Sequence, residues 1–185
     1  GLYHPVVLAK MALQIEHVSE GRFGINLVNA WNRAEFERAG LPFPAHDDRY
    51  AYGREWIGLV DRLMRGERVT FEGQHFRVED YQLKPAGTFR ARPTIYVGGE
   101  SEPARDLVAD HGDVWFINGQ PRDDVAALIA DVSRRPAASG RLRYGLSAFV
   151  IARETDAEAQ DEHARLLDLS RRDDALRAET RARTD

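Results

Sequence analysis

Three short segments carry the residue types that binding and proton chemistry need. The first is Gly98-Gly99-Glu100-Ser101, which follows an apolar run ending at Val97 and precedes an amphipathic segment opening near Pro103. Glycines at such a junction let the backbone approach a ligand closely. The free amides of a helix start favour phosphate or another anion, with the Ser101 hydroxyl as a further donor. The plainer alternative is an ordinary tight strand-to-helix turn. Neither Gly-x-Gly-x-x-Gly nor the P-loop spacing is present to decide between them.

The second segment is His46-Asp47-Asp48-Arg49-Tyr50. Asp47 or Asp48 can cap a long helix, and a carboxylate there can hold a protonated His46, which could move protons while Arg49 and Tyr50 reach an anion. The alternative is a capped helix start with Tyr50 in the core. The third is Asn29-Ala30-Trp31-Asn32, where a flat ring and two amides could line a pocket or Trp31 could plug the core. Of the other histidines, His17 and His111 have no second histidine at i+3 or i+4, His75 stands in the hairpin segment and His163 on a charged helical segment, so no metal site is expected. His-Glu-x-x-His, Gly-x-Ser-x-Gly and Ser-x-x-Lys are all missing, so the common hydrolase constellations find no support.

Those segments need elements to hold them. Apolar residues at helical spacing predict a helix over Pro5 to Val18, stopped by Gly21, and a second, longer one over Asp47 to Met64, stopped by Gly66. Short apolar runs predict strands at Phe23 to Val28, Thr94 to Val97, Asp113 to Ile117 and Leu142 to Ile151. Val69 to Val78 alternates around Glu72-Gly73-Gln74 like a hairpin. Helices are expected over Pro103 to Ala109 and Asp123 to Ser133, and Thr155-Asp-Ala-Glu158 reads as a capping box opening a helix to about Leu169. Buried strands alternating with amphipathic helices predict an α/β fold with a parallel sheet. Four strand-helix units are half of a (β/α)8 barrel, which typically needs about 250 residues. The count alone favours an open, doubly wound sheet.

Composition narrows the classes of function. The chain has 185 residues, 43% hydrophobic and 30% charged, with a mean hydropathy of -0.51, the balance of a globular domain. No run of about 18 apolar residues and no signal peptide stands at the start, so no membrane segment is expected. The absence of cysteine excludes a disulfide framework, a thiolate nucleophile and a Cys-ligated metal, and fits a cytoplasmic protein. Only Lys10 and Lys84 are lysines, and arginines alternate with carboxylates for a net charge of -4. A nucleic-acid binder would gather basic residues on one face, so that partner is set aside. A first residue Gly1 and an end at Thr184-Asp185 read like part of something longer.

Taken in order, seven stretches resemble the luciferase-like flavin monooxygenases, within them the alkanesulfonate and dimethyl sulfone monooxygenase group. They are His-Pro-Val-Val-Leu-Ala-Lys-Met-Ala from His4, Ser-Glu-Gly-Arg-Phe-Gly-Ile-Asn-Leu-Val from Ser19, His-Asp-Asp-Arg-Tyr from His46, Phe71-Glu-Gly-Gln-His-Phe-Arg, Leu83-Lys-Pro, Tyr96-Val-Gly-Gly-Glu-Ser and Phe149-Val-Ile-Ala-Arg-Glu-Thr. The resemblance covers about His4 to Leu167. It implies a (β/α)8 TIM-barrel type fold present only in part, over 1–169, with an insertion at about 32–92, and a charged helical or disordered tail over 170–185. On that register the chain begins after the third strand and ends before the eighth, leaving open sheet edges that another chain would have to cover.

The function implied by the resemblance is a two-component monooxygenase. A separate NAD(P)H:FMN reductase supplies reduced FMN, and O2 is used to oxygenate a small organosulfur compound, in a homo-oligomeric assembly. Gly98, Gly99, Glu100 and Ser101 would bind the FMN phosphate with help from Tyr50. Asn29 and Trp31 would face the flavin or substrate, Trp31 and His46 being the candidate catalytic groups and His46 the proton-handling one. The alternatives are a non-catalytic flavin-binding or structural fragment of the same fold, or a deazaflavin (F420)-dependent reductase.

Overall fold

A computed structural model describes residues 3–136, 142–173 and 178. The chain divides into two compact units, Gly1–Asn29 with Pro44–Ser147, and Ala30–Phe43 with Ala148–Asp185.

The first unit is built on a parallel sheet of four strands, β1 (Gly24–Leu27), β4 (Thr94–Gly98), β5 (Val114–Asn118) and β6 (Arg143–Ser147), lying side by side in sequence order. The strands therefore follow one another as consecutive barrel staves do, not in the reversed order of the open, doubly wound sheet that the strand count favours. Strand β6 is shorter than expected, stopping at Ser147 rather than Ile151. The hairpin, β2 (Arg68–Glu72) and β3 (Arg77–Gln82), forms its own two-stranded sheet. Glu55 fixes its turn by accepting from the amides of Gln74 at 2.8 Å and His75 at 2.9 Å.

Pairing in register puts Ile25, Leu27, Ile95, Val97, Trp115 and Ile117 on one face of the sheet. Ile95, Val97 and Trp115 there are wholly buried, part of a core shared with helices α1 (Pro5–Val18), α3 (His46–Met64) and α4 (Glu102–His111). The opposite face alternates large and small residues. A Cβ on Gly24 would stand 2.8 Å from the Tyr96 ring, and one on Gly145 would stand 2.9 Å from the Phe116 ring. Each ring thus lies over a glycine of the neighbouring strand, and Phe116 is still 37% exposed.

The N-terminal ends of the strands are fastened by ion pairs. Arg92, just before β4 and 8% exposed, reaches Asp61 of α3 and Asp113 before β5. Asp113 also accepts from the Ile95 amide at 2.8 Å. Arg90 pairs with buried Glu16 of α1 at 2.6 Å, with Thr94 Oγ1 at 3.0 Å and with the Phe23 carbonyl. Helix α5 (Arg122–Ser133) follows β5 and contributes Val132 to the core.

In the second unit, helix α2 (Arg33–Arg38) starts at Asn32, whose side chain accepts from the Glu35 amide. Phe36 meets Phe43 edge-on at 5.5 Å. Helix α6 (Asp156–Arg172) opens with the capping box of Thr155 and Glu158 and runs three residues beyond Leu169. The expected tail falls mostly outside the described residues.

Candidate functional site

Strand β4 ends at Gly98, and the chain turns at Gly99, whose φ of +115° is one that L side chains rarely adopt. A Cβ there would also stand 3.1 Å from the Ala104 side chain and 3.3 Å from the Tyr50 hydroxyl. Ser101 is the N-cap of α4 in extended conformation, with Pro103 in the first turn. Its side chain makes no cap hydrogen bond and instead donates to the Tyr50 hydroxyl at 3.1 Å.

Protein donors occupy the acceptor side of this turn. Trp115 Nε1 donates to the Gly99 carbonyl at 2.9 Å, Arg105 Nη1 to the Glu100 carbonyl at 2.6 Å, and the Arg105 amide to the Ser101 carbonyl at 3.0 Å. Among the described residues none accepts from the amides of Gly99, Glu100 or Ser101. Three successive carbonyls are satisfied while three amides and the Tyr50 hydroxyl proton remain to serve a ligand. Such a turn presents partial positive charge and suits an anion. The Glu100 side chain is held elsewhere, accepting from the Asn118 amide at 2.8 Å and from Asn118 Nδ2 at 3.4 Å.

Helix α3 brings Tyr50 to this turn. Its N-cap is Ala45, without a side-chain cap bond, so the expected capping by Asp47 or Asp48 is not what forms. Both carboxylates lie in the first turn, where they complement the helix dipole. Asp47 Oδ1 instead stands 3.0 Å from His46 Nδ1. The exposed His46 ring packs on Tyr50 with centroids 4.9 Å apart and planes at 48°. Arg49 Nη1 donates to the Pro44 carbonyl at 2.7 Å, steadying the entry to the helix. Asn29 reaches the same helix, because a Cβ on Gly53 would meet Asn29 Oδ1 at 2.2 Å. Gly53 and Tyr50 are three residues apart and share one helix face.

Of the candidate residues, Tyr50, Gly99 and Ser101 come together, Gly98 leads into them, His46 joins through Tyr50, and Asn29 packs one helical turn away. Trp31 belongs to the second unit and is 56% exposed. Sequence reasoning missed Trp115, Arg105 and Asn118. Asn118-Gly119 was visible as a strand end, but nothing local says that Asn118 meets Glu100.

An α/β parallel sheet with an anion-ready turn at the C-terminal rim of its strands is the architecture of barrel enzymes, which place their ligands on that rim. The chain belongs to the luciferase-like monooxygenase family, whose model matches residues 1–184, and its four parallel strands are staves of that (β/α)8 barrel. It is 35% identical over 161 residues to an FMNH(2)-dependent dimethylsulfone monooxygenase of Pseudomonas putida, covering 86% of this chain and 44% of that protein. It is 34% identical over 169 residues to the protein of that name from Pseudomonas fluorescens (strain Pf0-1), covering 91% and 46%. The crystal structure of DmoA from Hyphomicrobium sulfonivorans superposes with a TM-score of 0.72 at 19% identity, covering 90% of this chain and 41% of that one. The chain thus spans less than half the length of the curated relatives it matches.

Proposed function

We propose that this chain supplies the phosphate-binding part of an FMN-dependent monooxygenase that oxygenates a small organosulfur compound with O2. A dimethyl sulfone or an alkanesulfonate is the substrate class, and a separate NAD(P)H:FMN reductase is the partner. The observation that carries the reading is the turn at Gly99, where the carbonyls are satisfied, the amides are free, and Ser101 and Tyr50 add two hydroxyls. The residues fit a phosphate monoester: without a side chain at Gly99 the main chain lies close to the Tyr50 hydroxyl, and the Glu100 carboxylate is turned away to Asn118.

When bound, reduced FMN supplies the electrons for oxygen insertion. The chain's own residues bind and orient. The amides of Gly99 to Ser101 and the Tyr50 hydroxyl would hold the phosphate, joined by Ser101 once its hydroxyl turns from Tyr50, and Gly98 would let the strand end come close. Asn29, seated against Gly53, would be available to the flavin ring. Asp47 engages Nδ1 of His46, which leaves Nε2 to take or give a proton beside Tyr50. The relatives' name and the 35% identity support the sulfone substrate, and the lack of cysteine supports a cytoplasmic setting, as a homo-oligomer, with 1–169 as barrel, 32–92 as its insertion and 170–185 as a tail.

The test is titration of the chain with FMN and with riboflavin, which differ only by the phosphate. FMN should bind at least tenfold more tightly, and Ser101→Ala should lose on the order of tenfold of FMN affinity, as expected for one charge-assisted hydrogen bond, while leaving riboflavin unchanged. Equal affinities for the two flavins would overturn the reading.

A further inference from the structure

We propose that Glu100 and Asn118 form a clamp that positions the phosphate turn, so that Glu100 acts as a positioning residue and its carboxylate touches no ligand. The inference rests on the anion-site reading above. It starts from an oddity of charge: the turn offered to an anion contains a carboxylate in its centre. Left free, that carboxylate would accept from the same amides that a phosphate needs, and would repel a phosphate dianion.

The structure shows where the charge goes instead. Glu100 Oε1 accepts from the backbone amide of Asn118 at 2.8 Å, and Oε2 lies 3.4 Å from Asn118 Nδ2. Asn118 is the last residue of β5 and pairs in register with Ser147, the last residue of β6. The clamp therefore ties the β4 turn to the ends of the next two strands. Two further bonds hold the main chain on either side of the Glu100 α-carbon, from Trp115 Nε1 to the Gly99 carbonyl and from Arg105 Nη1 to the Glu100 carbonyl. Trp115 is fully buried. With both neighbouring carbonyls and the side chain directed toward β5 and α4, the amides of Gly99, Glu100 and Ser101 have one orientation left. Preorganised donors of this kind need no reordering when the anion arrives.

The clamp and the anion site make separable predictions. In Asn118→Ala, and equally in Glu100→Ala, FMN affinity should fall on the order of tenfold with riboflavin affinity kept. The double variant should fall no further than either single one, because both remove the same interaction. A ligand-free readout accompanies this: the backbone order parameters of Gly99 and Ser101, measured by 15N relaxation on the whole chain, should drop in both single variants. If Asn118→Ala leaves FMN affinity and the order parameters unchanged while Glu100→Ala alone weakens FMN, Glu100 contacts the flavin and the clamp is wrong. If wild-type chain does not prefer FMN over riboflavin, the phosphate reading fails, and unchanged order parameters would then also sink the clamp. Unaltered order parameters with a preserved FMN preference would sink the clamp alone.

Discussion

Removing the imidazole of His46 takes away both a titratable nitrogen and the ring that packs on Tyr50 at 4.9 Å, so two effects must be separated. A proton-handling role predicts that His46→Ala in the intact enzyme, at saturating reduced FMN, loses on the order of a hundredfold in turnover with flavin affinity nearly kept. A packing role predicts weaker FMN binding through a displaced Tyr50 and unchanged turnover at saturation, and that outcome would remove His46 from the catalytic groups. His46→Phe keeps the ring and loses the nitrogens, so it should restore Tyr50 without restoring rate. Because His46 is exposed and meets Asp47 and the Tyr50 ring rather than the buried core, neither variant should disturb the core.

At the scale of elements, helix α3 carries Tyr50 and its notch at Gly53, and the fit of Asn29 into that notch is testable. Gly53→Ala places a Cβ 2.2 Å from Asn29 Oδ1. The side chain must leave, which should cost about 1–3 kcal/mol of stability by overpacking, measured by denaturant unfolding. Ala is the better helix former by about 1 kcal/mol, so an increase in stability would mean Asn29 is not seated there. Much of this framework was legible in the sequence. The apolar spacing of Val6 to Val18 and Tyr50 to Met64, the stops at Gly21 and Gly66, and Thr155 with Glu158 specify helices locally, and the four apolar runs specify strands, although the fourth is not buried as expected, Tyr144 and Leu146 of β6 being exposed. What was not legible depends on tertiary neighbours. Helix α2 is short and polar, with no buried residue to mark it. The start of α3 at Ala45 follows from how the chain enters the helix, not from the strong capping residues that follow it. The turn of Glu100 toward Asn118 joins residues with α4 between them, and a sequence offers no periodicity for that. The glycine pair before Ser101 flagged the place, while the donors from Trp115 and Arg105 that turn its amides outward were invisible until the strands were side by side.

For the molecule as a whole, the buried and paired ionisable groups set a direction with pH. The bidentate bond from Arg90 holds the Glu16 carboxyl below its ordinary value, against the opposing effect of burial. Burial works to raise Asp113, and the bonds from Arg92 and the Ile95 amide outweigh it, so its net displacement is also downward. Burial, with help from the Arg54 charge, pushes His111 below 6.5. In all three cases the folded state binds fewer protons than the unfolded chain, so stability rises with pH and is lost on acidification. His111 acts first, as pH falls below about 6.5. The carboxylates act later, below about 4, as pH falls toward their depressed folded values. Melting temperature should decline gently from pH 7 to pH 5 and steeply below pH 4, and His111→Gln should remove the first phase only. Glu16→Ala removes one partner of Arg90, which is one-third exposed and keeps Thr94 and the Phe23 carbonyl, and should cost about 2 kcal/mol at pH 7, the scale of a hydrogen bond to a charged group. A flat melting profile between pH 7 and pH 5 would contradict the assignment to His111.

The parallel order of the sheet gathers every strand start on one rim and every strand end on the other. Arg90, Arg92, Glu16 and Asp113 lock the first rim, and Gly99, Ser101 and Asn118 furnish the second. Heritable change is thereby sorted by location. A lineage can rewrite the residues that greet a ligand, and so wander from one ligand to another, while the opposite rim keeps each intermediate sequence foldable.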